Sequence, residues 1–213
     1  MSWFSPRGTA APRKEQGRSQ TTAEPDLHRS LAFAALCEEM RRRKLQVLDL
    51  GSAVGSNVEF LSQFGCKLFI EDLYTALSTR TPGDGEGDLA GPGVFAEFLS
   101  IPPETRFDVI LAWDLFDYLQ RKELATFSEQ LRSFTSRGAL IFSLISYNKT
   151  IPAQPYRFRI HDDQHLIYDR RTNAERPSPR LAPAEVTNLL KGFRVDRSFL
   201  LKHGISEYLL VRE

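Results

Sequence analysis

Two glycines and three carboxylates are spaced so that they could hold a nucleoside. Gly51 and Gly55 bound a five-residue turn, and Asp49 comes just before it. Glycines let the backbone turn sharply and leave no side chain above it, so a ligand can lie against the main chain. Glu71 and Asp72 follow at the end of the next apolar run. A carboxylate there can accept hydrogen bonds from both ribose hydroxyls, which indicates an adenosine-containing ligand.

Two strands and a helix must position these groups. Residues 46–50 form an apolar run typical of a buried strand, and the turn follows at once. Apolar residues then recur at helical spacing until Gly65, where the predicted helix ends. Residues 67–70 form a second apolar run that leads into the acid pair. A parallel strand pair joined by a helix is a βαβ unit, which places both groups at one sheet edge.

The turn does not match two common phosphate-binding patterns. A dinucleotide fingerprint needs glycines where this chain has Ala53 and Ser56, and no Gly-Lys-Ser/Thr follows for a Walker loop. Residues 49–55, DLGSAVG, resemble instead the first motif of class I S-adenosylmethionine-dependent methyltransferases, acid-x-Gly-x-Gly-x-Gly, with Ala53 in place of the middle glycine. The alternative is a plain βαβ turn with surface carboxylates.

The resemblance implies S-adenosylmethionine as the cofactor. It also implies that Asp49 supports the methionine amine and that Asp72, or Glu71 in its place, takes the ribose. The cofactor contacts expected in this part of the chain are Asp49, Gly51, Ser52, Gly55, Asp72 and, as the alternative, Glu71.

A second motif lies at residues 107–119, FDVILAWDLFDYL. It resembles the fourth motif of small-molecule class I methyltransferases, in which a buried strand runs into an Asp-x-x-acid turn. The resemblance implies that Trp113 and Asp114 line the donor methyl group. The alternative for Asp114 is a helix N-cap. The pattern Asn-Pro-Pro-Tyr is absent here, which disfavours methylation of adenine N6 or glutamine amides.

Further apolar runs extend the sheet. Residues 94–99 are predicted to be a third strand, with Glu97 as the acid that meets the adenine amine in the resembling family. The strand of the second motif is then the fourth, and residues 139–145 are predicted to be the fifth strand. Residues 193–201 and 205–211 predict a closing antiparallel hairpin. The expected fold is α/β and doubly wound: a mostly parallel, seven-stranded sheet with a C-terminal antiparallel strand and helices on both faces.

The chain divides into a tail and one domain. Residues 1–25 lack periodicity and are predicted to be disordered, whereas residues 26–213 are expected to form the methyltransferase domain, opening with a helix at 26–44. Residues 146–183 lie where the resembling enzymes carry substrate caps. They contain an alternating run that predicts a hairpin, 156–160 with 165–168.

The cap segment supplies the candidates for the acceptor side. Its six arginines suggest selection of an acidic or phosphate-bearing substrate, and the alternative is a solvated hairpin, with a homodimer contact also possible. Candidate catalytic groups are Asp114, His161 and Tyr147, with His165 as a further base and Tyr156 as an acceptor contact.

Composition narrows the partners. Net charge is +1, with 28 basic and 27 acidic residues, so nothing global points to nucleic acid. The two cysteines, Cys37 and Cys66, have no metal-ligand spacing and indicate buried thiols in a reducing compartment. No metal site and no apolar run of membrane-spanning length are expected, and a cytoplasmic location is the default expectation.

The reaction expected from the resemblance is methyl transfer to a small molecule whose acceptor atom (oxygen, nitrogen or sulfur) stays open. The sulfonium is already activated, so positioning the two partners accounts for most of the catalysis and no nucleophilic side chain is required. Two alternatives stay open: a protein or RNA methyltransferase on the same fold, and a non-catalytic protein that binds the cofactor, or nothing, and serves as an interaction partner.

Overall fold

The computed structural model describes residues 26–78 and 94–213, so the predicted tail at 1–25 and residues 79–93 lie outside the described residues. The strands are β1 Leu27–Arg29, β2 Gln46–Asp49, β3 Lys67–Ile70, β4 Phe107–Trp113, β5 Thr135–Ser146, β6 Thr150–Pro152, β7 Arg157–Ile160, β8 His165–Asp169, β9 Glu175–Pro177, β10 Phe193–Leu200 and β11 Ile205–Arg212. The helices are α1 Leu31–Met40, α2 Gly55–Ser62, α3 Leu73–Ser78, α4 Arg121–Ser133 and α5 Pro183–Leu189. Short 3-10 helices lie at Val94–Phe98, Leu115–Tyr118 and Lys202–Gly204. None of the helices in the described part of the chain is long and apolar enough to span a membrane.

The main sheet has the strand order β3-β2-β4-β5-β11-β10. Strands β3, β2, β4 and β5 are parallel, because the connections between them cross over through helices or helical turns. Strand β11 pairs antiparallel with both β5 and β10, so the last strand of the chain is inserted between two earlier ones. The predicted closing hairpin and its reversed strand are thus confirmed.

The predicted seven-stranded sheet is not confirmed, because the described residues contribute six strands to the main sheet. Residues 94–98, expected to be the third strand, form a 3-10 helix. Their apolar side chains have the wrong period for a strand: Phe95 and Leu99 are buried in the core and Phe98 packs beside them. Spacings of three and four place such residues on one face of a helical turn, whereas a strand alternates with a period of two. Glu97 is exposed on this helix.

The two faces of the sheet are covered by different helices. Alternate residues of β4 point to opposite faces: Ile110 packs with α3, α4 and α5, whereas Leu111 and Trp113 pack with α1 and α2. Phe127 of α4 and Phe33 of α1 are fully buried on the two sides. The expected doubly wound arrangement is therefore present, with Trp113 directed toward α1 and α2.

A second, antiparallel sheet of order β1-β8-β7 lies beside α2. We call it the cap sheet. The predicted hairpin β7–β8 is confirmed, but the predicted helix 26–44 begins only at Leu31, because residues 27–29 pair with β8. The Ser30 hydroxyl accepts a hydrogen bond from the Phe33 N–H and caps α1. Strands β6 and β9 form a separate two-stranded ribbon.

Candidate functional site

The turn after β2 is fixed by a buried carboxylate. Asp49 Oδ1 accepts hydrogen bonds from the Gly51 N–H at 2.9 Å and from the Trp113 indole N–H at 2.6 Å. Burial raises the pKa of Asp49 to about 6, and these two hydrogen bonds oppose that rise because they favour the charged form. Asp49 therefore holds the turn against the end of β4.

The packing requires a glycine at position 51 but not at position 55. A Cβ at Gly51 would lie 2.8 Å from Cδ1 and 2.9 Å from Nε1 of Trp113, closer than carbon atoms pack. A Cβ at Gly55 would meet no atom within 4 Å, and Gly55 is simply the exposed first residue of α2. The close approach of the indole to the turn therefore explains the first glycine of the motif.

Trp113 is held in an unusual backbone conformation at the end of β4. Its φ is 50°, in the left-handed region that side chains other than glycine rarely adopt. The Ser143 hydroxyl donates to the Trp113 carbonyl at 2.9 Å, and the indole stacks on Phe158 with ring centroids 5.1 Å apart. Backbone strain of this kind costs about 1–3 kcal/mol and is concentrated at functional sites.

The acid pair after β3 is split between two environments. Asp72 Oδ1 accepts the Thr75 N–H at 3.0 Å and so caps α3, while the residue also lines the cleft above the turn. Glu71 is half-buried and does not line that cleft. The geometry therefore favours Asp72 over Glu71 as the group available to a ligand at the turn.

Asp114 follows Trp113 and is 7% exposed. Its Oδ2 accepts the Tyr156 backbone N–H at 3.0 Å. Burial raises the pKa of Asp114 to about 7, opposed by that hydrogen bond and by the positive charge of Arg171. The side chain does not bond to the backbone of the following 3-10 helix, so the alternative N-cap role is not seen.

Residues of β7 lie over the turn and are clamped there by Asn57 of α2. The Asn57 amide donates to the Phe158 carbonyl at 2.9 Å, and its oxygen accepts the Ile160 N–H at 2.8 Å. Asn57 is 3% exposed. Because both polar atoms of the amide are used, the side chain joins the first helix after the turn to the cap sheet.

Two adjoining spaces result. The turn cleft has a free volume of about 20 Å³ and is lined by Leu50, Gly51, Ser52, Asn57, Asp72, Tyr74, Ala112, Trp113, Asp114, Leu115, Pro155, Tyr156, Phe158 and Arg171. The inner cavity has a volume of about 360 Å³ and is lined by Asp114, Asp117, Tyr118, Leu144, Ser146, Asn148, Thr150, Ile151, Pro152, Tyr156, Phe158, Tyr168, Arg170, Glu175 and Ile205. Asp114, Tyr156 and Phe158 line both spaces.

The structure brings some of the predicted residues together and leaves others apart. Gly51, Ser52, Asp72, Trp113 and Asp114 line the turn cleft. The predicted contacts that do not line it are Asp49, Gly55 and Glu71.

The other sequence candidates are separate from both spaces, except Tyr156. His161 is exposed at the turn between β7 and β8. His165 Nδ1 lies 2.9 Å from the Asp162 carboxylate. Tyr147 bonds through its hydroxyl to the hydroxyl of Tyr208. None of these three lines the turn cleft or the inner cavity.

Sequence reasoning missed Asn57, Phe158 and Asp117. Asn57 and its partners on β7 are about a hundred residues apart in the chain, so nothing in the local pattern marks them. Asp117 occupies the second acidic position of the Asp-x-x-acid turn, and that motif was the one available signal. Its Oδ2 accepts the Ser146 N–H at 2.8 Å, which ties the turn to the end of β5.

No model of a known protein family matches the chain, and no curated protein matches it in sequence. Solved structures do match. The S-adenosylmethionine-dependent methyltransferase from Clostridium acetobutylicum ATCC 824 has a TM-score of 0.51 at 13% identity, over 85% of this chain and 89% of that one. The S-adenosylmethionine dependent methyltransferase from Mesorhizobium loti has a TM-score of 0.52 at 14% identity, over 85% of this chain and 98% of that one.

A third match is the glycopeptide N-methyltransferase MtfA complexed with sinefungin, with a TM-score of 0.50 at 13% identity, over 85% of this chain and 92% of that one. Identities this low establish the architecture alone. The resemblance found in the sequence is confirmed at that level: the chain has the fold of the class I S-adenosylmethionine-dependent methyltransferases.

Proposed function

We propose that this protein is an S-adenosylmethionine-dependent methyltransferase acting on a small molecule. One observation carries the proposal: the Gly51 turn, Asp72 at the tip of β3 and Asp114 at the tip of β4 line a single cleft at the carboxyl edge of the parallel strands. Open α/β sheets bind their ligands at this edge. The inner cavity adjoins that cleft and is the natural place for a methyl acceptor.

The residues of the turn cleft suit the cofactor chemically. Asp72 offers a carboxylate to a ribose, and Gly51 and Ser52 carry no bulky side chain of their own, although the Trp113 indole lies against Gly51. The free volume of about 20 Å³ is far below the roughly 300 Å³ at which small-molecule pockets begin. Tyr156 and Phe158 line this narrow cleft from the side of the cap sheet. We infer that cofactor entry requires the β7 segment to move away from the turn.

Each group then has a defined task. When bound, S-adenosylmethionine supplies a methyl carbon on a sulfonium, which needs no further activation. Asp49 keeps the turn and the Trp113 indole in place through its two hydrogen bonds. Trp113 supplies an apolar side of the cleft, and Phe158 stacks on it while β7 is closed. The protein thereby supplies mainly orientation and a dry site.

The test is calorimetric titration with S-adenosylhomocysteine, the demethylated product. Asp72→Asn keeps an oxygen to cap α3 but removes the charge, so we expect affinity to fall at least tenfold, about 1.4 kcal/mol. Glu71→Gln is the matched control, because Glu71 does not line the cleft, and it should bind like the wild type. Equal affinities for Asp72→Asn and wild type would refute the ribose role.

A second candidate is a non-catalytic protein on the same fold. The narrow turn cleft favours it, because its free volume of about 20 Å³ is too small for a cofactor. In that case the β7 segment would be a permanent part of the core, and neither S-adenosylmethionine nor S-adenosylhomocysteine would bind at millimolar concentration. Binding of either compound to the wild-type protein would exclude the form of this second candidate that binds no cofactor.

A further inference from the structure

The inner cavity is large enough for a small organic molecule and has a buried acidic end. Its volume of about 360 Å³ lies within the range of roughly 300–1,000 Å³ found for ligand pockets. The carboxyl ends of β4 and β5 form one side, and the β6–β9 ribbon and the cap sheet form the other.

Asp117, one of the residues that line the cavity, has a buried side-chain oxygen without a hydrogen-bond partner among the described residues. The residue is 3% exposed, and Oδ2 is used by the Ser146 N–H. Oδ1 has no hydrogen-bond partner among the described residues. Burial raises the pKa of Asp117 well above its usual value, and the negative charge of Asp114 adds to the rise. A buried carboxylate in this position needs either a proton or a cation.

The other charged residues that line the cavity do not supply that cation. Arg170 is the single basic residue among the described lining residues, against the acids Asp114, Asp117 and Glu175. The Arg170 guanidinium is paired with Glu175 at 3.0 Å, and that pair is exposed. The positive charge of Arg171, which lines the turn cleft, acts on Asp114. Among the residues that line the cavity, the buried Asp117 carboxyl therefore has no partner of opposite charge.

Aromatic rings complete the surroundings. Tyr118, Tyr156, Phe158 and Tyr168 all line the cavity. The Tyr118 hydroxyl donates to the Pro152 carbonyl at 3.0 Å, which fixes its ring in place. Aromatic faces attract cations, and the attraction is stronger where water is excluded. Arg176 already lies over the Tyr118 ring, 5.7 Å from its centroid, while Phe158 stacks on Trp113 and Tyr168 stacks on His28. The carboxyls and the remaining aromatic surface are complementary to an organic ammonium group.

We propose that the inner cavity binds an alkylammonium or arylalkylammonium group, with Asp117 Oδ1 and Asp114 as its counter-charges and the tyrosines around its carbon skeleton. On the proposed function, which this inference assumes, the methyl acceptor is then an amine nitrogen. This differs from the acidic substrate suggested by the arginines of the cap segment. Two of those arginines are already paired, Arg159 with Asp169 and Arg170 with Glu175.

An amine must lose a proton before its lone pair is free. Asp117 can take one proton from the ammonium nitrogen, leaving a neutral amine beside a neutral carboxylic acid. No net charge is created in the cavity by this transfer, because an ion pair becomes a neutral pair. A raised pKa suits the carboxyl to this task, since it makes Asp117 a better acceptor for that proton.

The test compares three probes of the same size on the wild-type protein by calorimetry: 2-phenylethylamine, 2-phenylethanol and phenylacetate. We expect the amine to bind at least tenfold more tightly than the alcohol and the acid not to bind. Equal affinities for amine and alcohol, or preference for phenylacetate, would overturn the proposal without any variant.

Asp117→Asn then locates the site. Asparagine keeps an oxygen for the Ser146 N–H but puts an amide N–H₂ where Oδ1 stands, so the amine should lose at least tenfold in affinity while the alcohol changes little. Glu129→Gln, an exposed acid on α4, is the matched control and should change neither. An unaltered amine affinity in a folded Asp117→Asn protein would contradict the assignment.

The same samples are titrated with S-adenosylhomocysteine. If the amine binds and S-adenosylhomocysteine does not, the amine site is supported and the proposed function is refuted. If S-adenosylhomocysteine binds and the amine does not, the proposed function stands and the amine site is refuted.

Discussion

The clamp between Asn57 and β7 gives the sharpest prediction, because it decides whether the turn cleft opens. Asn57→Ala removes both hydrogen bonds and leaves the Phe158 carbonyl and the Ile160 N–H without their partner. Each loss costs about 1 kcal/mol at the low end of the usual range. The closed position of β7 should therefore be destabilised by about 2 kcal/mol.

The consequence for binding follows from the closed cleft. If the cofactor binds only after β7 has moved, its apparent affinity is reduced by the small fraction of open molecules. Lowering the cost of opening by about 2 kcal/mol raises that fraction about 30-fold, at about 1.4 kcal/mol for each tenfold. We expect Asn57→Ala to bind S-adenosylhomocysteine up to about 30-fold more tightly than the wild type.

The assay is calorimetry, with tryptophan fluorescence as a second signal because Trp113 stacks on Phe158. Asn188→Ala, an exposed position on α5, is the matched control and should leave affinity unchanged. Circular dichroism establishes that the variant is folded. An unchanged or weaker affinity in folded Asn57→Ala would show that β7 is no barrier to binding, and the account of the closed cleft would be wrong.

Two further predictions concern stability and are measured by urea denaturation. Gly51→Ala should lower the free energy of unfolding by about 1–3 kcal/mol, because the added Cβ collides with Trp113. In Gly55→Ala the added Cβ meets no atom, so the free energy of unfolding should change by less than about 1 kcal/mol. Equal effects of the two substitutions would refute the role of the indole. Asp114 has a pKa of about 7 when folded, above its unfolded value near 4, so its stabilising contribution is complete below pH 4 and is lost as pH rises toward 7. The wild type should therefore be less stable at pH 8 than at pH 5. The free energy of unfolding of Asp114→Asn should fall by about 1–3 kcal/mol less than that of the wild type over that interval. Parallel pH curves for the two proteins would contradict this role of Asp114.

Local patterns determined much of the fold. The first βαβ unit, the strand that ends at Trp113, the β7–β8 hairpin and the closing β10–β11 hairpin were all readable from the sequence. In each case the signal lies within about twenty residues: alternation or an apolar run gives the element, and glycine or a polar cluster gives its end. The pairing of Asp49 with the Gly51 turn is equally local.

Tertiary structure decided what lies across the site. Strand β1 forms because residues 27–29 pair with β8, which lies about 140 residues away in the chain. Without that partner, the same residues read as the start of a helix. Residues 94–98 form a 3-10 helix rather than the expected strand, because their apolar side chains reach the core at helical spacing.

The candidate site depends on the same kind of long-range contact. The sequence marked Gly51, Asp72 and Asp114, because each stands beside a glycine turn or at the end of an apolar run. It carried no sign that Phe158 would close the cleft or that Asp117 would be left with an unpaired oxygen. Both facts arise from burial between elements distant in the chain, and burial sets the cost of an unpaired charge. The motif therefore fixed where a ligand is expected, and the packing of the cap sheet fixed how much room it has.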